Sequence, residues 1–116
     1  MNLNDLALLV HKANEKWWLD IETGERLDRN KGELIALMHS ELSEMLEGVR
    51  KNMMDDHLPD RPAEEVEAAD LLIRLLDYCG GFNLDLDGAF DSKMEYNAQR
   101  ADHKHENRLK AEGKKF

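Results

Sequence analysis

Residues 62–80, PAEEVEAADLLIRLLDYCG, constrain the fold more than any other segment of the chain. At about 100° per residue the apolar side chains wrap most of a helix's circumference. The polar ones collect in one narrow stripe: Glu67, Asp70, Arg74 and Asp77. A helix that is apolar nearly all round is a buried helix. Because a chain of 116 residues builds only one modest core, this segment predicts a helical domain that also buries apolar surface against a second copy of the chain.

Four helices are predicted in total, at residues 3–18, 30–52, 62–81 and from 85 or 87 to beyond 100. Asn30 is a good N-cap with Glu33 three residues on, and Pro62 suits the first position of a helix. Gly80 and Gly81 predict the end of the third helix. No strand-like alternation lasts more than a few residues. The predicted fold is therefore all-α, a four-helix bundle-like subunit, with a helical domain at residues 1–101 and a polar helical extension or flexible tail at residues 102–116.

The composition limits the class of partner. The chain is 41% hydrophobic and 35% charged with a formal net charge of −9, which predicts a soluble domain and argues against binding a nucleic acid polymer. A small anionic ligand held through metal ions stays possible. Cys79 is the single cysteine, no apolar run is long enough to span a membrane, and the start of the chain lacks signal-peptide features. We expect a cytoplasmic protein without a membrane partner.

Two successive helices each carry a pair of acids three residues apart. Glu41 and Glu44 lie inside and at the edge of the apolar arc of the second helix, and Glu67 and Asp70 share the polar stripe of the third. If the helices pack antiparallel, the four carboxylates converge, and they then need cations unless they take up protons. Hard oxygen ligands without histidine or cysteine suit Mg²⁺, or Mn²⁺. Because such pairs are common on solvated helices, the alternative is four surface acids.

Two further clusters could contact a ligand. The segment KMEYNAQR places two cations, an amide and a phenol within about a 100° sector of the fourth helix, where they could bind an anion or form a solvated basic face. These residues are Lys93, Tyr96, Asn97 and Arg100. On the first helix, His11 and the doublet Trp17-Trp18 could contact a base; adjacent residues point about 100° apart, so at most one tryptophan faces a given pocket. The alternative is a core tryptophan and a surface histidine.

The motifs ELSE, EAAD and KMEYNAQR together resemble those of the MazG-like members of the all-α nucleoside triphosphate pyrophosphohydrolases, over roughly residues 5 to 100. The resemblance implies a dimer or tetramer with its active site near a subunit interface, and Mg²⁺ bound by Glu41, Glu44, Glu67 and Asp70. Many members have an extra acid directly before the first motif glutamate, and Ser40 stands there in this chain. The implied reaction splits a nucleoside triphosphate between its α- and β-phosphates, giving a monophosphate and pyrophosphate.

The resemblance also implies roles for single residues. Glu41 or Glu44 is the expected catalytic carboxylate that takes the proton of the attacking water. The phosphate contacts map to Lys93, Asn97 and Arg100, with Tyr96 alongside. His11 and Trp17 or Trp18 lie where related enzymes contact the base.

Two other classes of protein compete with this interpretation. A di-iron carboxylate bundle needs Glu-x-x-His pairs, and none of the five histidines has a glutamate three residues before it. A non-enzymatic helical protein-interaction module, whose acids only solubilise exposed faces, stays open. In that case Mg²⁺ would not change the melting temperature, and Glu41→Gln would not lower stability.

Overall fold

The computed structural model describes residues 1–100 and Leu109, and these residues form four α-helices without a strand. The helices are α1 (Leu3–Ala13), α2 (Lys31–Lys51), α3 (Ala63–Gly81) and α4 (Leu86–Gln99), and a 3₁₀ turn (Glu15–Trp18) follows α1. The predicted all-α class is confirmed. The predicted tail at residues 102–116 lies outside the described residues, apart from Leu109, so the boundary at residue 101 stays a prediction. The chain divides into two compact units, residues 1–84 and 85–116, which are described separately.

The helix boundaries follow local capping chemistry. The Asn30 side chain accepts a hydrogen bond from the Glu33 amide at 2.9 Å, which confirms this residue as the N-cap of α2. Asn52 ends that helix in the left-handed conformation, with φ at 49°. The Asp85 side chain caps α4 by accepting from the Gly88 amide at 3.0 Å. These short polar side chains satisfy backbone groups that a helix end leaves unpaired.

Three predicted boundaries were wrong. The first helix ends at Ala13 and not at Trp18, because the chain tightens into the 3₁₀ turn that carries the Trp18 ring into the core. Helix α3 begins at Ala63 and not at Pro62, which is its N-cap, while its end at Gly81 agrees with the prediction. Helix α4 ends at Gln99, and Arg100 has extended backbone angles, so the helix does not continue past that residue.

The two glycines at the end of α3 lie within the helix and permit close packing; they do not form a left-handed cap after it. A Cβ at Gly80 would overlap the Ala7 carbonyl and lie 2.8 Å from the Cβ of His11, so α1 packs directly against the α3 backbone. A Cβ at Gly81 would overlap the ring of Trp18. The left-handed residue that turns the chain after α3 is Asn83, with φ at 55°. Gly80 and Gly81 thus decide where α1 and the tryptophan sit.

Helices α2 and α3 pack against each other and position the acids. A Cβ at Gly48 would lie 2.9 Å from the Cβ of Ala63, and Glu41 contacts Arg74 near the middle of both helices. Residues that are later in α2 therefore face residues that are earlier in α3, and the two helices run antiparallel as predicted. This packing is what brings the two acid pairs to the same interhelical surface.

The core of unit 1 is small. Its buried apolar residues are Ala7, Trp18, Ala63, Leu76 and Cys79. The expectation that α3 is buried all round is met only in part within one chain, since Leu72, Ile73 and Leu75 each keep more than a third of their surface exposed. The apolar pattern of α3 thus exceeds what the other described residues of unit 1 cover.

Candidate metal centre and adjoining cavity

Three of the four predicted acids meet between α2 and α3. One carboxylate oxygen from each of Glu41, Glu67 and Asp70 lies within 4.8 Å of the others, a spacing that could hold a metal ion. We call these three residues the acidic cluster. Glu41 comes from α2, and the other two come from successive turns on one face of α3. The i, i+3 spacing on one helix and the antiparallel packing of the other are sufficient to explain the convergence.

The cluster contains buried oxygen atoms without a partner. Glu41 is a buried acid, 8% exposed, and among the described residues its Oε2 has no hydrogen-bond partner. The same holds for the buried Oε2 of Glu67. Leaving a buried charged acceptor unpaired costs free energy, so such atoms are rare in native proteins. A bound cation or a proton would satisfy both oxygens, and this observation separates the cluster from ordinary surface acids.

Burial and mutual repulsion raise the affinity of these acids for protons. Burial, followed by the interactions with Glu41 and Glu44, raises the pKa of Glu67 from 4.5 to about 8. Burial and the charge of Glu41 also raise the pKa of Asp70, while the Arg74 guanidinium opposes that rise. Without a cation, Glu67 therefore holds a proton at neutral pH. A divalent ion would replace that proton.

Glu44 lies beside the acidic cluster and does not belong to the group of three. Its side chain is exposed, and its charge contributes to the raised pKa of Glu67. The fourth predicted metal ligand is thus the least constrained of the four carboxylates.

A cavity of about 490 Å³ adjoins the acidic cluster. Glu41 and Asp70 form part of its wall, and two cations, an amide and an indole ring form much of the remainder. The lining residues are Asn14, Trp17, Arg29, Leu34, Glu41, Asp70, Ile73, Arg74 and Asp77. We call this space the arginine cavity. A second cavity of about 350 Å³ is reached by Glu44 and Glu67 and is lined by Met53, Asp55, His57 and neighbouring residues.

The three residues predicted to contact a base have different environments. Trp17 is 62% exposed and lines the arginine cavity. Trp18 is 1% exposed, and its Nε1 donates to both oxygens of Asp77, at 3.1 and 3.0 Å. His11 Nδ1 lies 2.8 Å from Asp77 Oδ1, and its ring packs edge-on against Trp18. Only Trp17 of these three lines the cavity; the other two build the scaffold behind it.

The four predicted phosphate-binding residues form a local cluster on α4. The Lys93 Nζ and the Arg100 guanidinium lie 4.9 and 5.8 Å from the centre of the Tyr96 ring, and Arg100 Nη1 is 3.5 Å from Asn97 Oδ1. Lys93 on α4 and Arg100, the residue that follows the end of the helix, therefore lie on either side of an aromatic ring. This cluster belongs to the second unit and is described by itself.

The sequence analysis did not assign four polar residues to the cavity: Asn14, Arg29, Arg74 and Asp77. The sequence did contain a signal for Arg74, because this residue follows Asp70 by one helical turn and so lies on the same polar stripe of α3. Arg29 lies in the connector before α2, where no periodicity indicates a direction. Its Nη1 donates to the Trp17 carbonyl at 2.7 Å, a contact that depends on tertiary structure.

Comparisons of the chain with protein-family models, with curated proteins and with solved structures return no match. Among the described residues, no helix combines the length and the apolar character that crossing a bilayer requires. The functional assignment therefore depends on the chemistry of the site.

The raised pKa of Glu67 predicts how stability depends on pH when no metal is present. Because the folded protein holds a proton that the unfolded chain releases, we expect this group to make the free energy of unfolding fall as pH rises from about 4.5 to about 8. Urea denaturation in a chelator, across that pH window, measures the effect. The difference in free energy of unfolding between the wild type and Glu67→Gln isolates the contribution of Glu67 from those of other titrating groups. A difference that is constant across the window would contradict the assignment.

Proposed function

We propose that this chain is a Mg²⁺-dependent nucleoside triphosphate pyrophosphohydrolase that gives a nucleoside monophosphate and pyrophosphate. The observation that carries the proposal is the acidic cluster, whose buried oxygens lack partners, in the wall of a cavity that also presents two arginines and an exposed indole. The family resemblance of the three motifs supports the same reaction. We expect it to occur in the cytoplasm, where Mg²⁺ and nucleotides are abundant.

The residues of the cluster fit a hard divalent cation. All the donors are carboxylate oxygens, which suits Mg²⁺, or Mn²⁺ as a substitute. Glu41, Glu67 and Asp70 would hold the ion, with Glu44 adjacent. When bound, the ion would neutralise phosphate charge and lower the pKa of a bound water.

The side chains of the protein would perform the remaining steps. In the proposed reaction the water oxygen forms a bond to the α-phosphorus, the bond from that phosphorus to the α–β bridging oxygen breaks, and the electron pair leaves with pyrophosphate. Glu44 accepts the proton of the water, because it lies outside the group of three and its side chain is exposed. The resemblance of the KMEYNAQR segment assigns the phosphate contacts to residues of the second unit: Lys93, Tyr96, Asn97 and Arg100.

Exposed apolar side chains on α2 and α3 support self-association as a dimer or tetramer. These residues include Ile35, Leu42, Leu46, Val49, Leu72 and Ile73. Monomeric soluble proteins rarely leave wide apolar patches uncovered. The same observation favours the second candidate function, a helical protein-interaction module without enzymatic activity. That module would not require unpartnered acids in a buried position.

A panel of nucleoside triphosphates tests the proposal. The full chain is incubated with Mg²⁺ and canonical, methylated or oxidised triphosphates, or alarmone-type nucleotides, and products are separated by ion-exchange chromatography. We expect pyrophosphate and monophosphate in equal amounts from at least one substrate, and no products in a chelator. Release of orthophosphate and a diphosphate would show cleavage of a different bond. No turnover of any substrate would favour the interaction module.

A further inference from the structure

Arg74 is a charged residue of the arginine cavity that the proposed reaction has not used. It follows Asp70 by one turn of α3, and its Nε donates to Glu41 Oε1 at 2.9 Å. Its side chain is nevertheless 41% exposed, so the guanidinium is not enclosed by the acidic cluster. One end of this group contacts a candidate metal ligand while the group as a whole stays accessible from the cavity.

The hydrogen-bonding capacity of Arg74 is mostly unused. A guanidinium carries five N–H donors, and among the described residues the Nε donor makes the one hydrogen bond of this side chain. The two terminal Nη groups, with four donors in a planar fork, are left for other acceptors. Such a fork matches the geometry of a phosphate, where two parallel hydrogen bonds can form.

A divalent cation removes most of the negative charge around the cavity. Among the lining acids, Asp77 accepts hydrogen bonds from Trp18 Nε1, and its Oδ1 lies 2.8 Å from His11 Nδ1. The other two, Glu41 and Asp70, belong to the cluster that would hold the cation. With that cation bound, carboxylates no longer outnumber positive charges there, and the cation, Arg29 and Arg74 offer three positive groups to an anion.

We propose that Arg74 is a substrate-binding residue, whose Nη groups bind the phosphate chain of the nucleotide while its Nε stays on Glu41. This inference rests on the proposed function and adds a phosphate contact from α3. The volume of about 490 Å³ lies within the range of small-molecule sites, and the exposed Trp17 ring in the same wall suits the base of a nucleotide. Arg74 thereby links the position of a metal ligand to the presence of the phosphates.

Replacing Arg74 should have opposite effects on the affinity for Mg²⁺ and on the affinity for the phosphate chain. Removing a positive charge 2.9 Å from a Glu41 oxygen favours a cation, so Mg²⁺ alone should bind equally well or more tightly to Arg74→Gln. Removing charged donors from a phosphate should weaken binding of the phosphate chain about 10- to 100-fold. If Arg74 served only as a counter-ion for Glu41, its loss would leave phosphate binding unchanged or stronger. The effects on Mg²⁺ and on phosphate would then not be opposite.

Isothermal titration calorimetry with Mg²⁺ alone, and with inorganic tripolyphosphate in the presence of Mg²⁺, tests the inference. Tripolyphosphate avoids a choice of base. The variants are Arg74→Gln and Arg74→Lys, with Arg50→Gln as the matched control, since Arg50 is exposed and outside the cavity. We expect weaker tripolyphosphate binding by Arg74→Gln, an intermediate value for Arg74→Lys because it keeps the charge without the fork, and no change for the control. Circular dichroism verifies that each variant is folded.

The results separate this inference from the proposed function. Tripolyphosphate affinity of either Arg74 variant within twofold of the wild type overturns the role of Arg74 and leaves the metal centre intact. A parallel loss of Mg²⁺ and tripolyphosphate binding in Arg74→Gln also overturns it, because that pattern indicates damage to the acidic cluster. If the wild type binds Mg²⁺ but does not bind tripolyphosphate, the anion site is contradicted and the metal centre is not. If the wild type binds neither Mg²⁺ nor tripolyphosphate, the inference and the proposed function are both overturned.

Discussion

Glu67→Gln is expected to lower pyrophosphate release about 10³-fold, because a metal ion contributes several kcal/mol to the reaction and each 1.4 kcal/mol changes the rate tenfold. Glutamine keeps the size of the side chain and removes the anionic oxygen that the cation needs. Glu67 is well suited to this test, since its Oε2 is buried, unpartnered and close to Glu41 and Asp70. Steady-state assays at saturating Mg²⁺ measure the effect on the substrate that the nucleotide panel identifies.

The same variant should not be unstable. Glu67 already holds a proton at neutral pH when no cation is present, since its pKa is raised to about 8, and an amide resembles that neutral form. Because the amide needs no proton uptake on folding, we expect Glu67→Gln to match the metal-free wild type in stability near pH 4.5 and to unfold at a higher urea concentration than the metal-free wild type at neutral pH. Glu64→Gln, at an exposed position one turn earlier on α3, is the control for the activity. Activity of Glu67→Gln within threefold of the wild type would contradict the metal centre.

Trp18→Ala is expected to cost about 3–5 kcal/mol of stability, the range for truncating a large core aromatic. The ring packs edge-on against His11 and Phe82, and the Arg26 guanidinium lies 5.0 Å from its centre. The variant also removes the indole donor to Asp77. A domain of this size has about 5–15 kcal/mol of total stability, so we expect the variant to unfold at a much lower temperature than the wild type. Thermal unfolding by circular dichroism measures the loss.

Trp17→Ala is the matched control, because the two tryptophans are adjacent and have opposite environments. Trp17 is exposed, so its removal should change stability by less than about 0.5 kcal/mol. It should instead weaken binding of a nucleotide, by about 1–3 kcal/mol if the base stacks on the ring, and leave tripolyphosphate binding unchanged. Equal losses of stability in the two variants would show that the buried and exposed positions are assigned wrongly.

The helical class, the antiparallel packing of α2 and α3, and two of the caps could be predicted because they follow from local rules. Periodicity gave the faces of the helices, and Asn30 was identified as an N-cap; Asp85, predicted only as a possible start of the fourth helix, also has a side chain of the type that caps a helix. The end of α1 could not be predicted in this way. The chain leaves the α-helix after Ala13 because the Trp18 ring packs against Gly81 and Asp77, residues that are distant in sequence. Tertiary contacts override local helix preference at this point.

The candidate site was predictable to the extent that it depends on spacing. The i, i+3 pairs placed Glu41, Glu67 and Asp70 on facing helices, and the structure brings their carboxylates together. Spacing could not indicate that Arg74 donates to Glu41, because its position in the polar stripe is equally compatible with solvent. Nor could spacing predict that Arg29, from a connector, lines the same cavity. Side-chain directions outside regular helices depend on the folded chain as a whole.

Anomalous diffraction from crystals soaked in Mn²⁺ tests the central claim most directly, since Mn²⁺ replaces Mg²⁺ among oxygen ligands and scatters anomalously. We predict a peak among the carboxylates of Glu41, Glu67 and Asp70, and its absence in crystals of Glu67→Gln. Wild-type crystals with no peak at these three residues, or with the cation bound only elsewhere, would contradict the account.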